Sequence, residues 1–404
     1  MQRLLPLHGE LPAHTPRPKL AVAAKGFRPF FLLAAAFASA IVPLWILVLT
    51  GVAQPGGYFS PPIWHAHEMV FGFAVAVVAG FLLTAVGNWT KRETLVGAPL
   101  LSLVALWVAG RFAVYLGGML PRGLPALLDL AFLPALTIVL ARPLIAARDR
   151  HNVIMPAVLI ALFAANVVVH LEALGVLAVG SGRHACLVAV DILVFVILAI
   201  AGRVFPMFTR NATGVETIRS SRPLEVLTLV TMAVLAVLDA VIPESRAAAV
   251  ASGAVGVVAV ARAWHWRTAL AARHPLLWIL HVGYAWVPLG LLLRTVAAFH
   301  PAMPGSLATH ALTVGAIGSL TLGMMARVAL GHTGRPLVAS QAMAWAFAAM
   351  TLVACARVFG PLLFPSAYLV TLVVAGVLWT AAFLVYLVVY APILWRPRID
   401  GRAG

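Results

Sequence analysis

Charge is what this sequence has least of. Only 10% of its 404 residues are Asp, Glu, Lys or Arg, while 63% are hydrophobic. A soluble domain carries about 25% charged residues, so the composition argues against an ordinary water-exposed surface. Acids are the scarcer sign, 12 against 28 Lys and Arg, for a formal charge of +16. That excess would suit a polyanion if it were gathered on one face. It is dispersed instead, and no long soluble stretch remains to hold a polynucleotide, so no nucleic-acid partner is expected. Cysteine is nearly absent. Cys186 and Cys355 both fall in apolar runs, without CxxC and without the CxxCH of covalent haem attachment, and both read as small buried hydrophobes. Residues 1–25 also lack a short apolar stretch ending in a small-residue cleavage site. The first apolar segment is therefore expected to stay in place as a span rather than be removed as a signal peptide.

Long apolar runs are what is there. Stretches of 18 residues or more recur between Phe27 and Leu394, each long enough to cross a hydrocarbon core of about 30 Å. Backbone groups facing lipid must be paired within a helix or a closed barrel. Barrel strands alternate apolar and polar residues, and these runs do not. The expectation is an all-α, polytopic membrane helix bundle of about twelve transmembrane helices, over 29–51, 66–87, 97–118, 124–145, 153–178, 184–204, 223–242, 247–263, 275–298, 304–328, 338–360 and 366–392. Short connections imply one transmembrane domain, 26–395, between tails 1–25 and 396–404. An even number of spans puts both termini on one side. All but six of the 28 Lys and Arg fall on that side, the exceptions being Arg111, Arg122, Arg183, Arg246, Arg294 and Arg357. The positive-inside rule then places both termini in the cytoplasm. Phe205-Pro206-Met207-Phe208, ahead of the seventh span, loosely echoes Gly26–Phe31 ahead of the first, an echo that would mark two six-helix halves.

The histidines stand out, 13 against 12 acids. His8 and His14 lie in the tail and His151, His265 and His274 in cytoplasmic loops, where they read as solvated. The densest cluster is Trp64-His65-Ala66-His67-Glu68-Met69 at the outer start of the second span. Imidazole and thioether suit haem iron and copper. Residues two apart on a helix point about 200° from each other. His65 and His67 therefore do not grip one ion unless the helix start is irregular, and each could serve its own centre. An interfacial belt of Trp and His is the plainer reading of the same residues. In the fifth span Asn166 lies one turn before His170, where its amide could hold the imidazole in one tautomer. His281 has Tyr284 on its face and Pro288 beyond, and the proline frees a carbonyl and kinks the helix. His310 follows His300 and precedes Gly315, Gly318 and Gly323, small residues that admit a close helix or a flat macrocycle. His332 and Arg335, in Gly331-His332-Thr333-Gly334-Arg335, could hold an anion such as a haem propionate. By depth, His65, His67, His170, His184, His300 and His310 fall towards the periplasm, and His281 and His332 towards the cytoplasm. Asp129, Glu172 and Asp191 are buried acids, with Arg111, Arg294 and Arg357 as potential partners. They read as scattered ion pairs rather than a proton relay.

Several motifs carry a resemblance. Gly26–Phe31, Trp64–Met69 running into Phe71-Gly72-Phe73, Gly80–Val86 with Asn88-Trp89-Thr90, Gly202-Arg203-Val204 with Phe208–Asn211, Leu280–Trp286, and His310–Ala316 ending in Gly331–Pro336 are together similar to the NnrS family. The resemblance implies a polytopic protein of the bacterial inner membrane that binds haem and copper and is linked to denitrification and nitric oxide stress. A haem here would be b-type, since no attachment motif occurs. The resemblance favours His65, His67, His281, His310 and His332 as ligands or haem contacts, with His170 and Arg335 beside them, and leaves out His184 and His300.

The leading functional expectation is a haem and copper redox protein acting on nitric oxide or another small diatomic ligand, in contact with lipid and with a redox partner or quinol. In it His65, His67, His281 and His310 ligate metal and Glu68 supplies a proton or an outer contact. A transporter of a metal ion or small ligand is the second reading, since Pro43, Pro134, Pro156 and Pro288 permit discontinuous spans. An assembly partner of a reductase is the third.

Overall fold

The computed structural model describes residues 21–402, so most of the 1–25 tail, with His8 and His14, lies outside the described residues. Among them there is no strand, and twelve helices are long and apolar enough to cross a membrane. They are α1 (Phe27–Leu49), α2 (Pro61–Thr90), α3 (Gly97–Tyr115), α4 (Leu124–Ala146), α5 (Ile154–Ala173) and α6 (Ser181–Thr213). After these come α7 (Arg222–Val241), α8 (Arg246–Trp266), α9 (Pro275–Phe299), α10 (Gly305–His332), α11 (Gln341–Leu363) and α12 (Pro365–Trp395). All twelve expected spans are present. The largest difference is α6, which runs nine residues past the expected end because Pro206 is absorbed without ending the helix.

The helices close into a ring. α12 packs along α1, as α4 does on α5 and α8 on α9. Arg28 fastens the closure: its guanidinium donates to the carbonyls of Leu394 and Arg396, each at 2.8 Å. Those carbonyls lie at the end of α12, where no intrahelical donor remains. The interior is α2, α6, α9 and α10. In α2 83% of the apolar window is buried and in α10 72%, against 22% in the outlying α7, so α2 and α10 are the spans whose side chains face protein rather than lipid.

Those two inner spans share an irregularity. α2 is α-helical over Pro61–His67, π-helical over Glu68–Ala74 and α-helical again from Val75. α10 does the same, with Gly305–His310, a π segment over Ala311–Gly318, and Ser319–His332. In both, the π turn begins just after a histidine, and such wide turns concentrate at functional sites. Glycines let neighbours approach the widened turns. A Cβ at Gly72 would come within 2.9 Å of the Phe37 ring, and one at Gly318 within 2.6 Å of the Trp379 ring. The Trp107 indole donates to the Gly72 carbonyl at 3.2 Å, satisfying a backbone acceptor inside the wide turn.

Three expectations are corrected. Phe205–Phe208 lies inside α6, whereas Gly26–Phe31 begins α1. The two segments therefore do not hold the same place relative to a helix start. Cys355 is exposed on the outside of α11, not buried like Cys186. The acids are not scattered: Glu68 and Asp129 share Arg111, and Asp191 and Asp239 share Arg294. Arg357 partners His310 instead of an acid.

Candidate metal centre

Four helices, the inner α2 and its neighbours α3, α4 and α5, bring their polar groups to one point in the arginine-poor half of the bundle. His67 and Glu68 stand where α2 changes from α to π. Arg111 comes from α3, Asp129 from α4, and Asn166 and His170 from α5. Asp129 is placed by a break: Pro134 denies α4 a backbone donor and crowds the carbonyl four residues earlier, and the helix turns at Ala131. Gly110 lets α3 come close there, since a Cβ on it would lie 3.1 Å from the Asp129 Cα.

The hydrogen bonds assign the ring states. His67 Nδ1 lies 2.9 Å from Glu68 Oε1, and its Nε2 lies 3.2 Å from Asp129 Oδ2 and 3.0 Å from Asn166 Oδ1. The Asn166 amide nitrogen donates to Asp129 Oδ2 at 2.7 Å, which leaves its oxygen turned to His67. Both nitrogens of His67 therefore face oxygen acceptors. That is the environment of a doubly protonated ring, or of a ring whose Nε2 shares a cation with those oxygens. His170 differs. Its Nε2 lies 2.9 Å from Asp129 Oδ2 and its Nδ1 2.9 Å from the Tyr58 hydroxyl. As a neutral ring it donates from Nε2 and accepts from Tyr58 at Nδ1. Arg111 donates to Glu68 Oε1 at 2.7 Å and pairs with Asp129 Oδ1. Glu68, Asp129, His67 and His170 are all at least 97% buried.

The charge count is the chemical signature. Two carboxylates and one guanidinium leave one uncompensated negative charge, which one more cation cancels. Buried charges persist only when matched and hydrogen-bonded. One donor atom each from His67, Asp129 and His170 lies within 4.8 Å of the others, a set of imidazole and carboxylate donors that suits copper or zinc. Phe59 and Phe71 flank His67, ring centroids 4.8 and 5.2 Å away, so the surroundings are apolar.

The other expected residues are divided among separate places. His65 points away from His67, as the helical period requires. It stacks on Trp45 at 4.4 Å and 10°, has an unpartnered buried Nδ1, and lies near His310 and Arg357. His310 donates from Nδ1 to the Ser306 carbonyl at 2.6 Å, and its Nε2 accepts from Arg357 at 3.0 Å. His281 lies in the arginine-rich half between two hydroxyls, Thr209 on Nε2 at 3.0 Å and Thr268 on Nδ1 at 3.1 Å. It lines a cavity of about 1180 Å³ with Tyr284, Arg219, Arg267 and His265, which is exposed as expected. His332 ends α10 against Phe27 and lines a cavity of about 330 Å³ with Trp89 and Arg203. Arg335 is not part of that cavity's wall and reaches the Thr333 carbonyl at 3.5 Å. One pairing is corrected: Asn166 does not hold His170 but serves His67 and Asp129, while Tyr58 and Asp129 hold His170.

Sequence reasoning missed Asp129, Tyr58 and Arg111 as parts of this centre. The signal for Asp129 and Arg111 was present, an acid and a base each alone in an apolar run. Tyr58 sits in a loop and gave none. A family model described as NnrS protein matches residues 21–398. No curated protein matches the chain.

Proposed function

This chain belongs to the NnrS family, and we propose that it is a haem- and copper-binding protein of the bacterial inner membrane that binds or turns over nitric oxide and relieves nitrosative stress during denitrification. The observation that carries the reading is His67, a fully buried ring with an oxygen acceptor at each nitrogen, in a cluster one positive charge short. In this reading His67, His170 and Asp129 hold copper in the arginine-poor half, which the positive-inside rule makes the periplasmic half. Haem b belongs beside His281, where a cavity of about 1180 Å³ exceeds the about 300–1,000 Å³ of ordinary small-molecule sites and has room for a macrocycle. Arg219 and Arg267 on its wall suit propionates. When bound, haem and copper supply the redox chemistry and the open position that takes a diatomic ligand.

The protein's part is orientation and proton control. With metal at Nε2, His170 would carry its proton at Nδ1 and donate to Tyr58, and His67 would donate from Nδ1 to Glu68. These outer bonds fix the ring planes. Glu68 is placed to receive or return the Nδ1 proton of His67, and Arg111 holds it there. Phe59 and Phe71, packed on the His67 ring, keep water out. Glu68 is thus the residue for proton supply, while His65 and His310 form a separate pair around Trp45 and Arg357.

The test is the metal content and visible spectrum of the detergent-purified protein, oxidised and reduced, with and without nitric oxide. The expected result is b-type haem plus copper, with the haem spectrum moved by nitric oxide. His67→Ala and His170→Ala should lose copper and keep haem, and His281→Ala the reverse. Metal-free, colourless protein from haem- and copper-replete cells would overturn the reading, and metal flux into proteoliposomes would favour a transporter.

A further inference from the structure

A second buried acid cluster lies apart from the metal centre, between α6, α7 and α9. Arg294 of α9 reaches both Asp191 of α6, at 3.3 and 3.4 Å, and Asp239 of α7. Asp191 and Asp239 are at most 2% exposed and lie within hydrogen-bonding reach of each other. Asp239 Oδ2 is buried with no hydrogen-bond partner. Once again two carboxylates face one guanidinium, but here no imidazole is present to take the missing positive charge. A metal ion is a poor candidate, because Arg294 fills the space between the acids. A proton is the ligand that fits, since two like charges in close contact share one readily, and it supplies the donor that the pair lacks.

Access is built in. Asp191 and Arg294 line a cavity of about 350 Å³ that opens between α6, α8, α9 and α10. Its charged wall residues are Arg183 of α6, paired with Glu244 at 2.9 Å, and Arg246 at the start of α8. From α10 come only Gly305, Ala308, Thr309 and Leu312. An ion-flanked mouth thus leads to one buried carboxylate and its arginine, on the arginine-poor side of the bundle.

We propose that Asp191 and Asp239 together bind one exchangeable proton, delivered by water through this cavity. Intramembrane acids are functional candidates by default because burying them is costly, and this pair has both the vacancy and the route. The site does not depend on the identity of the metal or gas bound elsewhere.

The experiment is infrared spectroscopy of the full-length protein in detergent, exchanged from water into heavy water. The wild type should show a protonated-carboxyl band that shifts on exchange. Asp191→Asn and Asp239→Asn should each abolish it, because either change leaves one carboxylate matched to Arg294. Both single variants should melt near the wild-type temperature, since an amide mimics the protonated acid, whereas the double variant strands Arg294 and should melt far lower. Ala297→Leu, on the cavity wall, should slow the shift. A wild-type spectrum without a band that either single variant removes would overturn the shared proton. Exchange at wild-type rate in Ala297→Leu would overturn the route.

Discussion

His67 and His170 meet edge to face, ring centroids 5.4 Å apart at 87°, with one oxygen of Asp129 on the Nε2 atoms of both. The carboxylate is thus the hinge of the centre, a shared acceptor without metal and a third donor with it. This geometry makes Asp129 as important as either histidine.

Asp129→Ala should therefore do two kinds of damage. It removes a proposed ligand, and it takes from His67, Asn166 and His170 the buried oxygen they share. Leaving a buried donor without its acceptor costs about 1–3 kcal/mol. The expected result is loss of copper together with a markedly lower melting temperature in detergent. Copper retained at wild-type stoichiometry would remove Asp129 from the ligand set.

Tyr58→Phe isolates the outer bond to His170. The hydroxyl contacts no proposed metal position, only His170 Nδ1. Losing such a partner costs metal affinity by about 10–100-fold without emptying the site under saturating copper. Competition with a chelator of known affinity measures it.

The same tyrosine has a pH signature. Burial raises the Tyr58 phenol from 10.0 to about 12, so the folded protein keeps its proton where the unfolded chain loses it. The stabilisation is whole below about pH 10 and is lost as pH rises towards 12. Wild-type stability should fall more steeply across that window than Tyr58→Phe stability, read as melting temperature against pH. Parallel curves would mean that the hydroxyl is not buried as described.

Gly315→Ala tests the π turn of α10. A Cβ there would fall 2.5 Å from Trp286 Cγ, and overpacking of this kind costs about 1–3 kcal/mol. Lower stability with copper still bound is expected, because the turn lies outside the His67 cluster.

His65→Ala and His310→Ala separate the two histidine groups. Each should leave the copper of the His67 centre in place, as His65 faces Trp45 and His310 is engaged by Ser306 and Arg357. Loss of that copper in either variant would join the two groups into one site.

The sequence by itself determined the spans. An apolar run in hydrocarbon must pair its own backbone, so each run of sufficient length becomes a helix, and twelve runs make twelve helices. It also determined that His65 and His67 part company, because their angle follows from the helical period alone. Which residues meet across helices was decided only by the tertiary structure. Asp129 lies 62 residues from His67 and 41 from His170, and nothing in a uniformly apolar helix states which of its faces turns inward or what waits there. Asn166 shows the same limit: its spacing placed it on the face of His170, yet its hydrogen bonds go to His67 and Asp129. The π turns after His67 and His310 likewise arise from packing against Phe37, Trp286 and Trp379, since local pattern favours an α-helix throughout. The number and position of helices follow from the solvent, but the charge balance of a buried site follows from the contacts between them.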